Sequence, residues 1–328
     1  MKTINQIFFV IVIFSASVVS CSKSSGPAAT PAPVIKPDTI PAGWAKIKVD
    51  TNGRYINDIF FINNSVGYAV TASVGIIKST NGGSTWNKVS DFTMSNISGT
   101  NDGKAFFVDG YSNILTKTPD GGVSFTQQGL SSQGMSDIFF SDNNTGLLAS
   151  KYQIYNTNNA GVNWNPVQTI PNAANLYTSL FMFDNTHAWL VYSNRVVHAS
   201  TNLSTWQTDT VIAQAPDMSL ITIFATSAST VYTCSYSGYL YKSTNGGSSF
   251  TFLQKLNPGA IGSFSDLHFI DANTGYLSVG SRIYKTTDAG SSWQMILALG
   301  NTSITEIHFT DATHGWACCA DGTILKLN

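Results

Sequence analysis

One eight-residue phrase recurs along this chain and limits what it can fold into. STNGGSTW stands at 79–86, TPDGGVSF at 118–125, TNNAGVNW at 157–164, STNGGSSF at 243–250 and TTDAGSSW at 286–293, with a shortened STNLSTW at 200–206. Their closing aromatics, Trp86, Phe125, Trp164, Trp206, Phe250 and Trp293, lie 39, 39, 42, 44 and 43 residues apart. A unit of that length buries its apolar face only against a neighbouring copy, and the period is that of a four-stranded propeller blade.

The text around each box supports the same unit. DIFFINNSVGYAV (58–70), DIFFSDNNTGLLA (137–149), DLHFIDANTGYLSV (266–279) and EIHFTDATHGWACC (306–319) each read as two apolar strands joined by an Asn/Asp/Thr/Gly turn. Segments 96–108, 179–191 and 222–234 are weaker copies. A third strand follows each hairpin, from GIIKS (75–79) to TILKL (323–327), and then comes the box and a fourth strand. The hairpin and third strand occur seven times but the box only six, and GWAKIKV (43–49) reads like the strand that closes the first box. The expectation is an all-β, seven-bladed propeller of four-stranded blades over 43–328. Strand 43–49 completes the last blade (304–327), which leaves only short, protected edges.

The boxes resemble the Asp-box, or bacterial neuraminidase repeat. The longer unit, running from the hairpin through G-x-I-x-K-T-x-D-x-G-x-x-W, resembles the photosystem II stability/assembly factor family of seven-bladed propellers over nearly all of 43–328. In a photosynthetic host that resemblance implies an assembly factor that docks newly made reaction-centre protein. The family's basic recognition patch is not evident, because the lysines are scattered.

Within the boxes, Asn81, Asp120, Asn159, Asn245 and Asp288 can accept hydrogen bonds from their own turns. Gly83, Gly122, Gly161, Gly247 and Gly290 supply left-handed backbone or close approach. Trp86, Phe125, Trp164, Phe250 and Trp293 pack into the blades. No nucleophile with a base is present, so the boxes are structural. They are expected on the face opposite the binding side, with 200–206 a distorted turn.

Upstream of the repeats, Lys2 and the apolar run IFFVIVIF (7–14) read as an export signal over 1–20. VVSC (18–21) resembles a lipobox with Cys21 as the acylated residue, and 21–42 is a Pro/Ala/Ser-rich tether. The chain is thus expected as a monomeric lipoprotein of a bacterial envelope, on the periplasmic side or outer membrane. Cys234, Cys318 and Cys319 are an odd number for an exported disulfide framework and read as small buried residues. With 17 basic and 18 acidic residues and no basic stripe, nucleic acid is not an expected partner.

Glycoside hydrolysis is the enzyme class to weigh, because Asp-boxes also occur in sialidases and some endoglucanases. Hydrolysis needs two carboxylates across the scissile bond, and Glu306 is the single glutamate. The three arginines, Arg54, Arg195 and Arg282, lack the Arg-Ile-Pro context that sialidases carry. His268 and His308 occupy positions held by Phe60 and Phe139 in other blades, which points to packing. His187 and His198 look solitary. No catalytic residue, cofactor or metal ligand is expected.

Two features fall on the expected binding face. A polar ring opens the inner strands: Asp58, Asn96, Asp137, Ser179, Asp266 and Glu306. Tyr111, Tyr152, Tyr192 and Tyr236 lie in the turns between second and third strands of blades two to five, and an exposed arc of tyrosines suits a peptide or glycan. Connections 208–219 and 254–264 would wall that face. The reading is a non-enzymatic, lipid-anchored scaffold or assembly factor for another protein; the alternative is a glycan-binding module or sialidase-like hydrolase.

Overall fold

The computed structural model describes residues 40–50, 52–131, 134–170, 178–212, 219–257 and 265–327. The leader, Cys21 and the tether up to residue 39 lie outside the described residues, as do parts of both long connections.

The described chain is all β, in seven four-stranded antiparallel sheets. Six blades are consecutive in sequence, at 56–90, 96–129, 135–169, 178–211, 220–255 and 265–298. The seventh takes Ile304–Phe309, Gly315–Cys319 and Thr323–Leu327 and adds Trp44–Lys48 as its outer strand. In that closing pair Trp44 stands opposite Leu327 and Ile47 opposite Ile324. Ile40 and Trp44 pack against the core that the seventh blade shares with the sixth.

The second strands are buried along their whole length, as in GYAVT (67–71), AWLVY (188–192) and GWACC (315–319). A strand covered on both faces reads as a continuous apolar run, whereas the outer strands are half-exposed. The core is divided into seven clusters, and each straddles two adjacent blades. One joins Tyr68, Val70 and Ile76 to Ile97 and Phe107. Another closes the ring by joining Trp316, Cys318 and Ile324 to Ile56, Ile59 and Phe61. Cys234, Cys318 and Cys319 are buried within these layers.

The box turns bind these layers together. Ser79 Oγ accepts from Gly83 N at 2.8 Å, and Asn81 Oδ1 accepts from Thr85 N at 2.9 Å. Asp120, Asn159, Asn245 and Asp288 repeat the second bond in their own boxes. Trp86 turns its indole back to Gly83 O at 3.0 Å and packs edge-on against Phe61.

Each of these boxes is also gripped by the preceding blade. Trp316 Nε1 donates to Gly82 O, Lys78 Nζ to Gly121 O, Lys117 Nζ to Gly161 O, Trp189 Nε1 to Gly246 O, and Lys242 Nζ and Tyr232 Oη to Ala289 O. In the short box, Trp206 keeps its bond to Leu203 O at 3.1 Å, but Asn202 Oδ1 reaches only Ser204 N. The loss of one residue tightens that turn.

Candidate functional site

The inner strands surround a cavity of about 420 Å³ on the ring axis. Its walls carry two successive layers, because alternate residues of an inner strand face the axis.

The first layer is the polar ring. Asp58 Oδ1 accepts from Ile59 N at 2.6 Å, and its Oδ2 accepts from Ile97 N of the next blade at 2.7 Å. Asp137 does the same with Ile138 N and Leu180 N, each at 2.7 Å. Asp266 does so with Leu267 N at 2.7 Å and Ile307 N at 3.1 Å. Ser179 Oγ accepts from Ile223 N in the same manner at 3.3 Å. These side chains stitch blade to blade at the axis, as the boxes do at the periphery. Glu306 lines the same cavity as Asp266. Burial, then the Asp266 and Asp58 carboxylates, push Glu306 well above the usual carboxylate range. Burial also lifts Asp58 well up and Asp137 to about 7.

The second layer is aromatic. Phe139 meets Phe181 at 5.1 Å between centroids, Phe181 meets Phe224 at 4.2 Å, Phe224 meets His268 at 5.4 Å, His268 meets His308 at 5.2 Å, and His308 meets Phe60 at 5.3 Å. Ser98 stands at the equivalent position in the second blade, opposite Phe106 as Phe60 is opposite Tyr68, and its Oγ accepts from Phe140 N. His268 and His308 are therefore members of a ring of side chains in which each aromatic ring packs, tilted or edge-on, against the next. Burial, then the neighbouring His268, holds His308 neutral by lowering it to about 3. Among the described residues, no three His, Cys, Asp or Glu side chains gather as a metal-binding group.

The face opposite the boxes carries the turns between second and third strands. There the tyrosine arc needs one correction. Tyr111 is 89% exposed, Tyr152 51% and Tyr236 47%, but Tyr192 is only 3% exposed. The turn after Tyr192 is two residues long, Ser193 and Asn194, so Tyr192 stays in its strand opposite Arg195 and packs into the core between blades three and four. The other three lie past their strand ends. Sequence reading missed two members of this face. Tyr55 and Phe92 are exposed in the connections that enter blades one and two. Of the seven exposed aromatic side chains among the described residues, five lie on this face; Phe183 sits on the box side and Phe252 on an outer strand. Lys151 Nζ lies 5.2 Å from the centre of the Tyr152 ring.

Residues 36–172 match the family model of the photosynthesis system II assembly factor YCF48. Over that stretch, which is less than half of the chain, the sequence is similar to this family. A solved structure of YCF48 bound to a D1 peptide superposes with a TM-score of 0.70 at 19% identity, covering 89% of this chain and 98% of that one. YCF48 from Cyanidioschyzon merolae gives 0.69 at 19% identity, covering 88% and 99%. The fold also occurs in enzymes: a GH74 xyloglucanase from Xanthomonas campestris gives 0.67 at 12% identity, covering 87% of this chain and 54% of that one. No curated protein matches the sequence. At these identities the structural likeness speaks for the fold alone, and the site geometry has to carry the function.

Proposed function

We propose that this propeller is a non-enzymatic scaffold that docks a segment of another protein on the face bearing Tyr55, Phe92, Tyr111, Tyr152 and Tyr236. A lipid on Cys21 holds it to an envelope membrane. The observation that carries the reading is the segregation of exposed aromatic rings onto that one face. Tyrosine gives contact area with a polar tip at low entropic cost, and aromatic rings are enriched at protein interfaces. The likeness to YCF48, which has been solved with a D1 peptide, favours a peptide segment as the ligand.

The central carboxylates do not favour hydrolysis. Asp58, Asp137 and Asp266 spend both oxygens on backbone N–H groups. Burial, then the charge of the neighbouring Asp266, pushes Glu306 well above the usual carboxylate range. A glycosidase needs its two carboxyl groups roughly 5 Å apart or more, to fit the bond between them.

The test is capture of membrane and envelope proteins, and of the D1 peptide, on the full chain. Tyr111→Ser with Tyr152→Ser should abolish capture, while Val123→Ser on the box face leaves it intact. Equal loss in both variants would contradict a specific docking face. Turnover of a fluorogenic sialoside or β-glucan that disappears in Glu306→Gln would contradict the non-enzymatic reading.

A further inference from the structure

His187 and His198, solitary in sequence, line the same cleft. It measures about 410 Å³ and lies between blades four and five, on the box face and away from the docking face. Its other walls are Ser200, Ser227, Ser229, Asn245 and Ser248 with the backbone of the 243–250 box. We propose that this cleft binds a divalent transition-metal ion of the imidazole-preferring class, Zn²⁺ first among them, with His187 and His198 as its two protein ligands.

The origin of the cleft lies in one substitution within the repeat. His198 stands opposite Trp189 in its hairpin. The matching position is Lys78, Lys117, Lys242, Lys285 or Lys326 in five other blades, and Asn156 in the third. Three of those lysines donate to a carbonyl in the next blade's box. The shorter imidazole leaves that span open. His198 is 8% exposed, and its Nδ1 is buried with no hydrogen-bond partner. A buried polar atom left unpaired is costly, and a native structure tolerates one chiefly where a ligand or function accounts for it.

His187 is held ready on the same wall. Its Nδ1 lies 3.0 Å from Asp184 Oδ2, and Asp184 Oδ1 also accepts from the backbone N–H of Thr186 and His187. A carboxylate on Nδ1 fixes the tautomer and leaves Nε2 as the lone pair, the arrangement found behind metal-binding histidines. His187 precedes Ala188, which pairs with Ala199, so His187 and His198 are diagonal neighbours on one face of the hairpin. Such diagonals are ~7–8 Å apart, a span that two imidazoles can close around one ion at about 2.0–2.1 Å from each nitrogen. Water and the cleft's hydroxyl groups complete the coordination.

His314 provides an internal control. It has the same carboxylate, Asp311, on its Nδ1, but the third-strand position in its blade is Lys326. The experiment is calorimetric titration of Zn²⁺ into the metal-free full chain, with Cu²⁺ in parallel for electron paramagnetic resonance. One ion should bind, and the copper spectrum should show two nitrogen donors. His187→Ala and His198→Lys should remove this site, and Asp184→Asn should weaken it by about tenfold or more. His198→Lys restores the side chain of the other blades, so it should fold at least as well as the parent. His314→Ala should change nothing. Absence of binding, binding that survives His198→Lys, or binding lost in His314→Ala would overturn the proposal.

Discussion

The indole of Trp316 donates to the carbonyl of Gly82 at 3.0 Å, across 234 positions of sequence. It joins the last blade to the first box, and the same contact recurs around the ring with Trp189 on Gly246 and Tyr232 on Ala289. The repeated turn is therefore a clasp between blades as well as a corner within one.

The clasp leaves no room at its second glycine. Gly83 has φ +81°, and a Cβ there would lie 2.6 Å from Trp316 Nε1. Gly83→Ala should lower the unfolding free energy by ~1–3 kcal/mol, the cost of a strained backbone position. Gly103→Ala has φ +95° but nothing within 4 Å of its added Cβ, and should cost less. Denaturant titration of the two variants checks the order.

The first glycine position behaves in the opposite sense where nature has placed alanine. Ala289 has φ +55°, as has Ala160 in the third box, where three other boxes carry Gly82, Gly121 and Gly246. Left-handed backbone costs a non-glycine residue roughly 1–2 kcal/mol, of which glycine's greater unfolded-state freedom takes back part. Ala289→Gly should therefore raise stability by about 0.5–1 kcal/mol in the same assay.

The central layers should be read by pH. His308 titrates at about 3 when folded. In the unfolded chain it titrates near its ordinary value of about 6.5, so the unfolded state binds the extra proton between those limits and stability falls as pH drops. His308→Phe installs the residue found at Phe60, Phe139, Phe181 and Phe224. Its stability relative to the parent should be ~2 kcal/mol better at pH 5 than at pH 8. Asp137 works in the opposite direction. Raised to about 7, it contributes stability that is full below about pH 4 and lost as pH rises through 7. Asp137→Asn should flatten that loss. Unfolding curves of the three proteins from pH 4 to 8 test both signs.

What sequence could carry was whatever repeats. Boxes at a near-constant period, hairpins with alternating turns and an orphan strand at 44–48 were enough to fix the blade number and the closure. The structural part of the site was less legible, because its determinants are one residue long. In blade four the pairing runs on to Tyr192 and Arg195 and keeps Tyr192 inside its strand, whereas in blade three it stops at Ala149 and Ile154, and Tyr111 and Tyr152 fall beyond their strand ends. The pairing of Asp58 with Ile97 N, or the meeting of Glu306 and Asp266 at one cavity, spans two blades and has no local signature. His187 and His198 come together only because one sits at a turn and the other at a lysine position of the repeat. Reading that repeat column by column, rather than histidine by histidine, would have found them.

Trp44–Lys48 covers the edge of Thr323–Leu327. A chain lacking 40–48 should expose an unpaired strand and self-associate, because an open edge is a template for pairing. Sedimentation velocity would show this as dimers or larger species at concentrations where the parent shows none.

The most direct test of the ring is a covalent bond across its seam. Ala45 and Lys326 are opposite one another in the closing pair, and cross-strand partners of this kind fall within the span of a disulfide. Oxidation of Ala45→Cys, Lys326→Cys should give one intramolecular bond in a monomer of higher melting temperature. Failure to cross-link, or cross-linking only between molecules, would contradict a propeller closed by its own first strand.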